Sequence, residues 1–595
     1  MILNKMDLRK KVMYTISTGL LAGTLSLAPM GASSVAEAGG WDIVGSILGT
    51  VSQATAESEA VRYEILRWSN SPKNQQSTLD SSISKNGIDT DVEHNERVSR
   101  VLNQLIDRGN YAMEPNSLPF RWRVINSDEW NAGCYPTDYI EVNSALVKDL
   151  TSDDALAGVL AHEMIHGLHQ HMANDAAQQV LYQYGAGLLT MNADYIQATL
   201  SNYLTNYVTI KNTSNISEAD ADESGFYLLA SAGFNPGGFP IETCRMAQMD
   251  KSNRGILTEI FTGVYDHPAS QKRFNQAEQR MEEYGYNHVK VKNGNEVYID
   301  GQYLMTATEG NGLEDWENAY LIAGGISKGI HDYHSAYAWN FGSKDFLNDR
   351  AYDTLRDALS NAELAAKFQT MLENAYSLDV TDKEHRNTKV KLKQAEKERN
   401  DKIAAHKAEV MAPENAGAYR AHCDSYLDME LNKLAFKEAE KALTADPNSY
   451  IQNGNMARAY SALNDDYKEK HDSFNDEYSR KAIEFNEKAL NIANSNSIND
   501  TYWLYTNMAL YQQQAGNYTL SNEAALTAIA MQPDKEKNYR RIGYNSLKLG
   551  DREGAIKYYK MCLAHGGNLS SVPEEIVAEV QANSTTIDDI ISDNE

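Results

Sequence analysis

Two histidines four residues apart could share a metal ion in this chain. His162 and His166 stand in the run His162-Glu163-Met164-Ile165-His166. Residues four apart on an α-helix differ by about 40° around its axis, so both imidazoles project from one face and can bind one Zn²⁺ ion. Glu163 lies beside them, where it can take a proton from an attacking water molecule and pass it to a leaving amine. The run therefore predicts zinc-dependent peptide hydrolysis.

An acidic segment about fifty residues after His166 could complete the ligand set. It begins Ser217-Glu218-Ala219-Asp220-Ala221-Asp222, and a helix there places Glu218 and Asp222 on one face. A His₂Glu set leaves the fourth position of zinc to water, which is the open geometry of catalytic sites. Asp222 is suited to accept a ring N–H from a ligand histidine and fix its tautomer. The alternative is an exposed acidic helix start, since carboxylates favour helix N-termini.

These motifs resemble those of the HtpX-like and CAAX-prenyl-protease-like zinc endopeptidases, above all the soluble BepA-like branch with C-terminal tetratricopeptide repeats. Members carry ExxxD before a Gly and a later Gly-aromatic-x-Pro, which Glu218 to Asp222, Gly225 and Gly233-Phe234-Asn235-Pro236 fit. The match covers roughly residues 90–285 and, more loosely, 414–568. The resemblance implies that Glu218, rather than Asp220 or Asp222, is the third ligand of a single zinc ion.

The resemblance extends to further residues around the site. His267-Pro268 and Arg273 are similar to a family segment whose histidine can approach the zinc and whose arginine can contact the site. The imidazole could stabilise the oxyanion or occupy the water position in a latent enzyme. Asn131-Ala132 is implied to lie near the edge strand that binds extended substrate, although Gly133-Cys134-Tyr135-Pro136 departs from the usual apolar continuation. His171 matches a recurrent histidine, for which we expect a structural role.

The N-terminus has the features of an export signal. A positive segment containing Arg9, Lys10 and Lys11 precedes a mostly apolar stretch from Val12 to Met30, and Ala36-Glu37-Ala38 has the form that signal peptidase cuts. We therefore predict a signal peptide at residues 1–38, with an N-terminal anchor as the alternative. The mature chain is expected to be periplasmic or secreted, with no integral membrane span.

Composition narrows the classes of partner. A formal charge of −27 argues against nucleic acid or an anionic membrane surface as the main partner. The four cysteines show no CxxC spacing, which argues against a thiolate metal site. At 595 residues the chain is longer than a single hydrophobic core usually supports, so we expect two or three domains.

The fold class predicted is an α+β zincin-like peptidase domain at 39–287, mainly helical with a small sheet, followed by an all-α repeat solenoid. Period-two alternation between Val289 and Thr306, broken by Asn-Gly and Asp-Gly, predicts a β-meander. We assign it with following helices to a separate subdomain at 288–380. A charged helical linker is expected at 381–413 and an acidic C-terminal tail at 569–595.

Helical repeats are predicted at 414–568. Gly516 and Gly550 lie 34 residues apart in similar helix–turn–helix patterns, and a fourth unit fits if a polar insertion near Asp465–Phe474 is looped out. Such repeats resemble tetratricopeptide repeats, whose curved face binds peptides.

The function predicted is an exported zinc endopeptidase that hydrolyses unfolded or misassembled extracytoplasmic proteins, with the repeats binding clients or partners. The alternative is a chaperone or assembly factor that acts through its repeats, with latent or little proteolysis. A structural zinc protein is a third hypothesis. The glutamate beside the first histidine and a set of only three protein ligands argue against it.

Overall fold

The computed structural model describes residue 66 and residues 68–114, 117–171, 215–257 and 270–582. The predicted signal peptide, residues 1–38, lies outside the described residues. The first part of the described chain is helical with two small sheets. Its elements are α1 (Pro72–Asn86), α2 (Val92–Arg108), β1 (Arg121–Ile125), β2 (Ala132–Cys134), β3 (Tyr139–Asn143), α3 (Ser144–Asp149), α4 (Asp153–Leu168), α5 (Asn215–Ser231), α6 (Gly238–Leu257), α7 (Ser270–Tyr284), β4 (Val289–Lys292), β5 (Glu296–Ile299), β6 (Gln302–Thr306), α8 (Asp315–Tyr333), α9 (Lys344–Asn348), α10 (Asp353–Ala358), α11 (Ala362–Thr381) and α12 (Lys383–Val410).

The first sheet has the order β1-β3-β2. β1 and β3 pair in parallel. β2 pairs antiparallel with β3 and so forms one edge of the sheet. This edge strand packs against α4, the helix that carries the HExxH run.

Helix α4 begins at Asp153, directly after a capping serine. The hydroxyl of Ser152 caps it by accepting two N–H groups of the first turn. Asp153, at the first helical position, forms ion pairs with Arg97, Arg100 and Arg350. Burial alone would raise the pKa of Asp153, but hydrogen bonds from Arg100 and Arg97 outweigh burial and lower it to about 2. The start of the helix is therefore fixed to α2 and to the segment before α10.

Helix α4 is buried along nearly its whole length, because α2, α5, α6 and β2 surround it. A close approach between α4 and α5 depends on Gly225. A Cβ atom at this position would lie 3.1 Å from the backbone N and Cα atoms of His162. The absence of a side chain at Gly225 thus lets α5 bring its acidic face against the histidines of α4.

The second sheet is the predicted meander, with the order β4-β5-β6. Its two turns use left-handed backbone at Asn293-Gly294 and Asp300-Gly301, where φ lies between 48° and 86°. The buried side chains of Val289, Val297 and Ile299 belong to the same hydrophobic cluster as those of α4 and α5. The meander therefore shares the core of the preceding segment, which differs from the separate subdomain that we expected from the change in periodicity.

The described residues 416–564 contain four helix pairs in which each helix packs against the next. Gly516 and Gly550 have positive φ just after the first helices of the last two pairs, where a left-handed residue ends a helix. Fully buried alanines, such as Ala435, Ala482 and Ala525, allow close helix packing. The helices are α13 (Ala416–Asp428), α14 (Asn432–Ala445), α15 (Tyr450–His471), α16 (Asp476–Ser495), α17 (Tyr502–Gln514), α18 (Tyr518–Met531), α19 (Glu536–Lys548) and α20 (Arg552–Ala564).

Two parts of the repeat region differ from prediction. The polar insertion near Asp465–Phe474 is mostly helical, because its Lys and Glu residues favour a helix and extend α15 to His471. The start of the predicted acidic tail also forms a helix, α21 (Glu574–Gln581), which packs on α20 through the buried side chains of Ile576 and Val580. It covers the last repeat, as terminal helices of solenoids do.

The predicted fold class is confirmed: a mainly helical α+β domain is followed by an all-α solenoid of helix pairs. Among the described residues, no helix has the length and apolarity to cross a bilayer. All four cysteines lie in the described part of the chain and are free thiols.

Candidate metal centre

Three donors from two helices meet in the core of the first domain. His162 and His166 come from α4 and Glu218 from the first turn of α5, and each is at least 96% buried. The Nε2 atoms of His162 and His166 lie 3.1 Å apart. Glu218 oxygens lie 3.5 Å from His162 Nε2 and 3.4 Å from His166 Nε2. The predicted ligand residues are thus brought together.

The spacing and chemistry of these donors fit a tetrahedral metal ion. Ligand atoms about 2.1 Å from a tetrahedral zinc ion lie roughly 3.4 Å from one another. The separation of the two imidazole nitrogens, 3.1 Å, and their distances to the two oxygens of Glu218, 3.5 Å to Oε2 and 3.4 Å to Oε1, are close to that value. Two imidazoles and one carboxylate are the donor set of catalytic zinc sites, with one position left for water.

The other nitrogen of His162 is held by a charged pair. His162 Nδ1 lies 3.0 Å from Asp222 Oδ1, one turn after Glu218 on α5. Arg273 from α7 donates two hydrogen bonds to Asp222, from Nη2 to Oδ1 at 2.6 Å and from Nε to Oδ2 at 2.9 Å. Its Nη1 lies 3.3 Å from Glu218. Asp222 therefore lies against His162, and Arg273 lies against both Asp222 and Glu218.

The pocket favours positive charge between its donors. Burial alone would lower the pKa of His162, but hydrogen bonds with Asp222 and Glu218 outweigh burial and raise it to about 10. The pKa of Asp222 lies at about 2, since Arg273 and His162 outweigh the opposite effect of burial. A divalent cation bound to the same donors would displace the proton from His162.

The other nitrogen of His166, Nδ1, contacts His171, which in turn contacts Asp220. The sequence did not predict these contacts. His166 Nδ1 lies 3.2 Å from Nδ1 of His171, whose Nε2 lies 2.9 Å from Asp220. Asp220 also contacts His169, at 2.5 Å. If His166 binds a metal through Nε2, its Nδ1 carries a proton and donates to His171, which then donates from Nε2 to Asp220. The alternating acids of the segment, Glu218, Asp220 and Asp222, were the signal that Asp220 also has a role.

Glu163 is held by the edge strand of the first sheet. The backbone N–H of Cys134 donates to Glu163 Oε2 at 2.8 Å, and the carboxylate is partly exposed. Sequence reasoning placed Glu163 beside the histidines but did not predict this contact. The bond joins the predicted base to the strand along which an extended peptide could lie.

Successive residues of β2 point their peptide N–H and C=O groups alternately towards β3 and towards the open edge of the sheet. The carbonyl of Asn131 accepts the N–H of Asn143 at 3.0 Å, so Asn131 is engaged within the sheet. Since Cys134 N–H points to Glu163, the alternation of an antiparallel strand places the main chain of Ala132 on the same open side. The peptide groups of Ala132 and Cys134 therefore face the open edge, where the N–H of Cys134 is already bonded to Glu163, and the carbonyl of Asn131 faces β3.

Glu242 on α6 is a further buried carboxyl that the sequence analysis missed. Its side chain is 1% exposed, and a Cβ on Gly158 of α4 would lie 2.9 Å from its Cγ. Burial raises the pKa of Glu242 to about 8. It therefore adds little negative charge beside Asp222 and His162 at neutral pH. No spacing in the sequence links it to the motif on α4.

His267 and Pro268, for which the resemblance implied a place near the metal, lie outside the described residues. The role of His267 stays a prediction. Arg273, from the same family segment, is the part of it that the structure brings to the site.

Comparison with known proteins agrees with this geometry. Residues 93–281 match the model of Peptidase family M48. The chain is 26% identical to beta-barrel assembly-enhancing protease of Yersinia pestis, over 27% of this chain and 34% of that protein. It is 25% identical to metalloprotease LoiP of Escherichia coli, over 32% of this chain and 71% of that protein. It is 27% identical to mitochondrial metalloendopeptidase OMA1 of Schizosaccharomyces pombe, over 31% of this chain and 52% of that protein.

The chain spans about half or less of several of these relatives, including the protease of Yersinia pestis and the OMA1 protein. Among solved structures, a crystal structure of MamA covers 30% of this chain and 92% of its own, with 18% identity and a TM-score of 0.22. The match to family M48 includes the helices that carry His162, His166, Glu218 and Arg273. Residues 93–281 of this chain therefore form a domain of Peptidase family M48, and the sequence resemblance to BepA-like metallopeptidases is confirmed.

Proposed function

We propose that this protein is a zinc-dependent endopeptidase that cleaves unfolded or misassembled polypeptides outside the cytoplasm. The convergence of His162, His166 and Glu218, with separations that suit a tetrahedral ion, is the observation that carries this proposal. The chemistry of the donors favours zinc over magnesium or calcium, because imidazole is a poor ligand for those harder cations. One zinc ion per chain is proposed for this centre.

The roles of the side chains follow from their positions. Bound zinc would acidify a water molecule and polarise the scissile carbonyl. Glu163 accepts the proton of the attacking water and donates it to the leaving amine. The bond from Cys134 N–H keeps the carboxylate of Glu163 at the mouth of the site before substrate arrives. Asp222 and Arg273 hold the ring of His162, and His171 holds that of His166.

An extended polypeptide is the proposed substrate. The outward peptide groups of Ala132 and the outward carbonyl of Cys134 can pair with the backbone of a segment in β conformation, which unfolded proteins expose. Backbone pairing does not depend on side-chain identity, so cleavage is expected to follow unfolding rather than a strict sequence. His267 is proposed to act near the metal, as the resemblance implies.

The repeats are proposed to bind clients or partner proteins close to the peptidase. His422 of α13 donates from Nε2 to the carbonyl of Ser117 at 2.5 Å, and Lys437 of α14 pairs with Asp107 of α2. These contacts support an arrangement in which the first repeat is fixed to the peptidase domain. Along the sequence we propose a peptidase segment, a meander with following helices, a charged linker, the repeats and a tail, at 39–287, 288–380, 381–413, 414–568 and 569–595. We also propose that the signal peptide at 1–38 directs export to the periplasm or the cell exterior.

Removing the metal should abolish proteolysis. The full chain, stripped with a strong chelator and dialysed, is expected to lose cleavage of a chemically unfolded, fluorescently labelled polypeptide, and added Zn²⁺ should restore it. The same polypeptide in its folded form serves as the control and should be cleaved slowly throughout. Full activity in metal-free protein would contradict the proposed function.

A chaperone or assembly factor is the second candidate, and the length of the solenoid favours it. The four helix pairs from α13 to α20 form one continuous array, and arrays of this kind present extended concave surfaces that bind other chains. If the Glu163→Gln chain suppressed client aggregation as well as the native chain, with no cleavage in either, this second function would be favoured.

A further inference from the structure

A second cluster of metal-binding side chains lies on other elements of the first domain. His288 directly precedes β4, Asp300 lies in the turn between β5 and β6, and His385 lies in the first turn of α12. One donor atom from each of the three residues falls within a common distance of 4.8 Å. The cluster is therefore separate from the donors on α4 and α5.

Two ring nitrogens of this cluster face one carboxylate. His288 Nδ1 lies 2.8 Å from Asp300 Oδ1, and His385 Nε2 lies 3.6 Å from the same oxygen. The two imidazoles are stacked, with ring centres 5.6 Å apart and planes inclined by 17°. Their donor nitrogens thus approach Asp300 from the same side.

Each histidine is held through its other nitrogen by a separate carboxylate. His288 Nε2 lies 3.0 Å from Asp379 near the end of α11, and His385 Nδ1 lies 3.0 Å from Asp382. Carboxylates in this position fix the tautomer of a metal-binding histidine and orient its ring. The tautomers that a bound cation needs are compatible with these contacts: Nε2–H of His288 would donate to Asp379 and Nδ1–H of His385 to Asp382. Without a cation, Nδ1–H of His288 can donate to Asp300 instead.

The carboxylates of the cluster favour the binding of a cation. Asp300, Asp379 and Asp382 contribute three carboxylates, and the ammonium group of Lys389 pairs with Asp379. The second oxygen of Asp300, Oδ2, is buried and has no hydrogen-bond partner. Burial of a carboxylate oxygen without a partner costs free energy that a bound cation would offset.

The geometry points to a second Zn²⁺ site, formed by His288, Asp300 and His385. His288 is 1% exposed and Asp300 11%, whereas His385 is 37% exposed, so an ion and a water ligand can enter from the His385 side. Its three protein ligands leave one position to water, as at the peptidase centre. The ion would join the meander to the start of α12, the charged helix that leads to the repeats.

This site is tested with the peptidase centre disabled in the full-length chain. Protein carrying His162→Ala and His166→Ala is dialysed against Zn²⁺ and then against buffer, and bound zinc is counted by mass spectrometry. One zinc ion per chain is expected to remain. Adding His385→Gln should release it, whereas the matched control His406→Gln, at a histidine of the same helix with 36% exposure, should retain it.

A second variant separates metal binding from folding. Asp382 also caps α12 through its side chain, and Asn is an equally good capping residue. Asp382→Asn should therefore keep the helix but weaken zinc binding roughly 10- to 100-fold in a chelator competition assay. Absence of zinc from the His162→Ala, His166→Ala chain, or zinc that survives His385→Gln, would overturn the second site. Neither result bears on the peptidase centre.

Discussion

Replacing Glu163 by Gln should lower kcat/KM for cleavage of an unfolded polypeptide by roughly 10²- to 10⁴-fold, the range that a general base contributes. The amide retains an oxygen that can accept the N–H of Cys134, so the local structure should persist. It cannot take a proton from water at neutral pH. Metal content should be unchanged, because the ligands come from His162, His166 and Glu218.

Steady-state cleavage and zinc analysis of the same preparation check this prediction. Glu223→Gln is the matched control, since it makes the same chemical change at an exposed position of α5 and should leave cleavage intact. Native activity in the Glu163→Gln chain would remove the proposed base. Loss of zinc from it would instead assign Glu163 a role in binding the metal.

Replacing Arg273 by Gln should weaken both zinc binding and the fold. The guanidinium is 3% exposed and pairs with Asp222 and Glu218, which are themselves buried. Removing one partner of a buried charge pair leaves the other without compensation, at a cost of about 3–5 kcal/mol. Because Asp222 then no longer holds His162 in place, zinc affinity should fall roughly 10- to 100-fold.

Urea unfolding of the chelated protein isolates the effect of Arg273 on stability, and a chelator competition assay measures zinc affinity. Arg273→Lys should recover part of the stability but not the paired hydrogen bonds, since an ammonium group lacks the planar fork. Lys272→Gln, at the preceding exposed residue of α7, should change neither quantity. An Arg273→Gln chain with native stability and zinc affinity would show that the guanidinium does not position the ligands.

The parts of the site that follow helical periodicity could be predicted from sequence. His162 and His166 share a face of α4 because a spacing of four residues fixes it. Spacing alone left Glu218, Asp220 and Asp222 open as the third ligand, and the family resemblance favoured Glu218. The structure gives the other two acids distinct contacts, with His162 for Asp222 and with His171 for Asp220.

Contacts between distant elements could not be predicted in this way. The bond between Cys134 N–H and Glu163 depends on how the edge of a sheet packs on α4, and no local pattern encodes it. Local turn chemistry did predict the meander, because Asn293-Gly294 and Asp300-Gly301 require left-handed backbone. Alternation shows which side chains of the meander are buried but does not identify the core they join, so the contact of Val289, Val297 and Ile299 with the core of α4 and α5 could not be predicted.

The central claim is that two helices bring three donors to one catalytic metal ion. The most direct measurement is a crystal structure of the zinc-loaded chain with an anomalous difference map at the zinc absorption edge. A strong peak is expected about 2.0–2.3 Å from His162 Nε2, His166 Nε2 and a carboxylate oxygen of Glu218. A zinc-loaded crystal without a peak between these atoms, or with Glu218 turned away from the ion, would contradict the central claim.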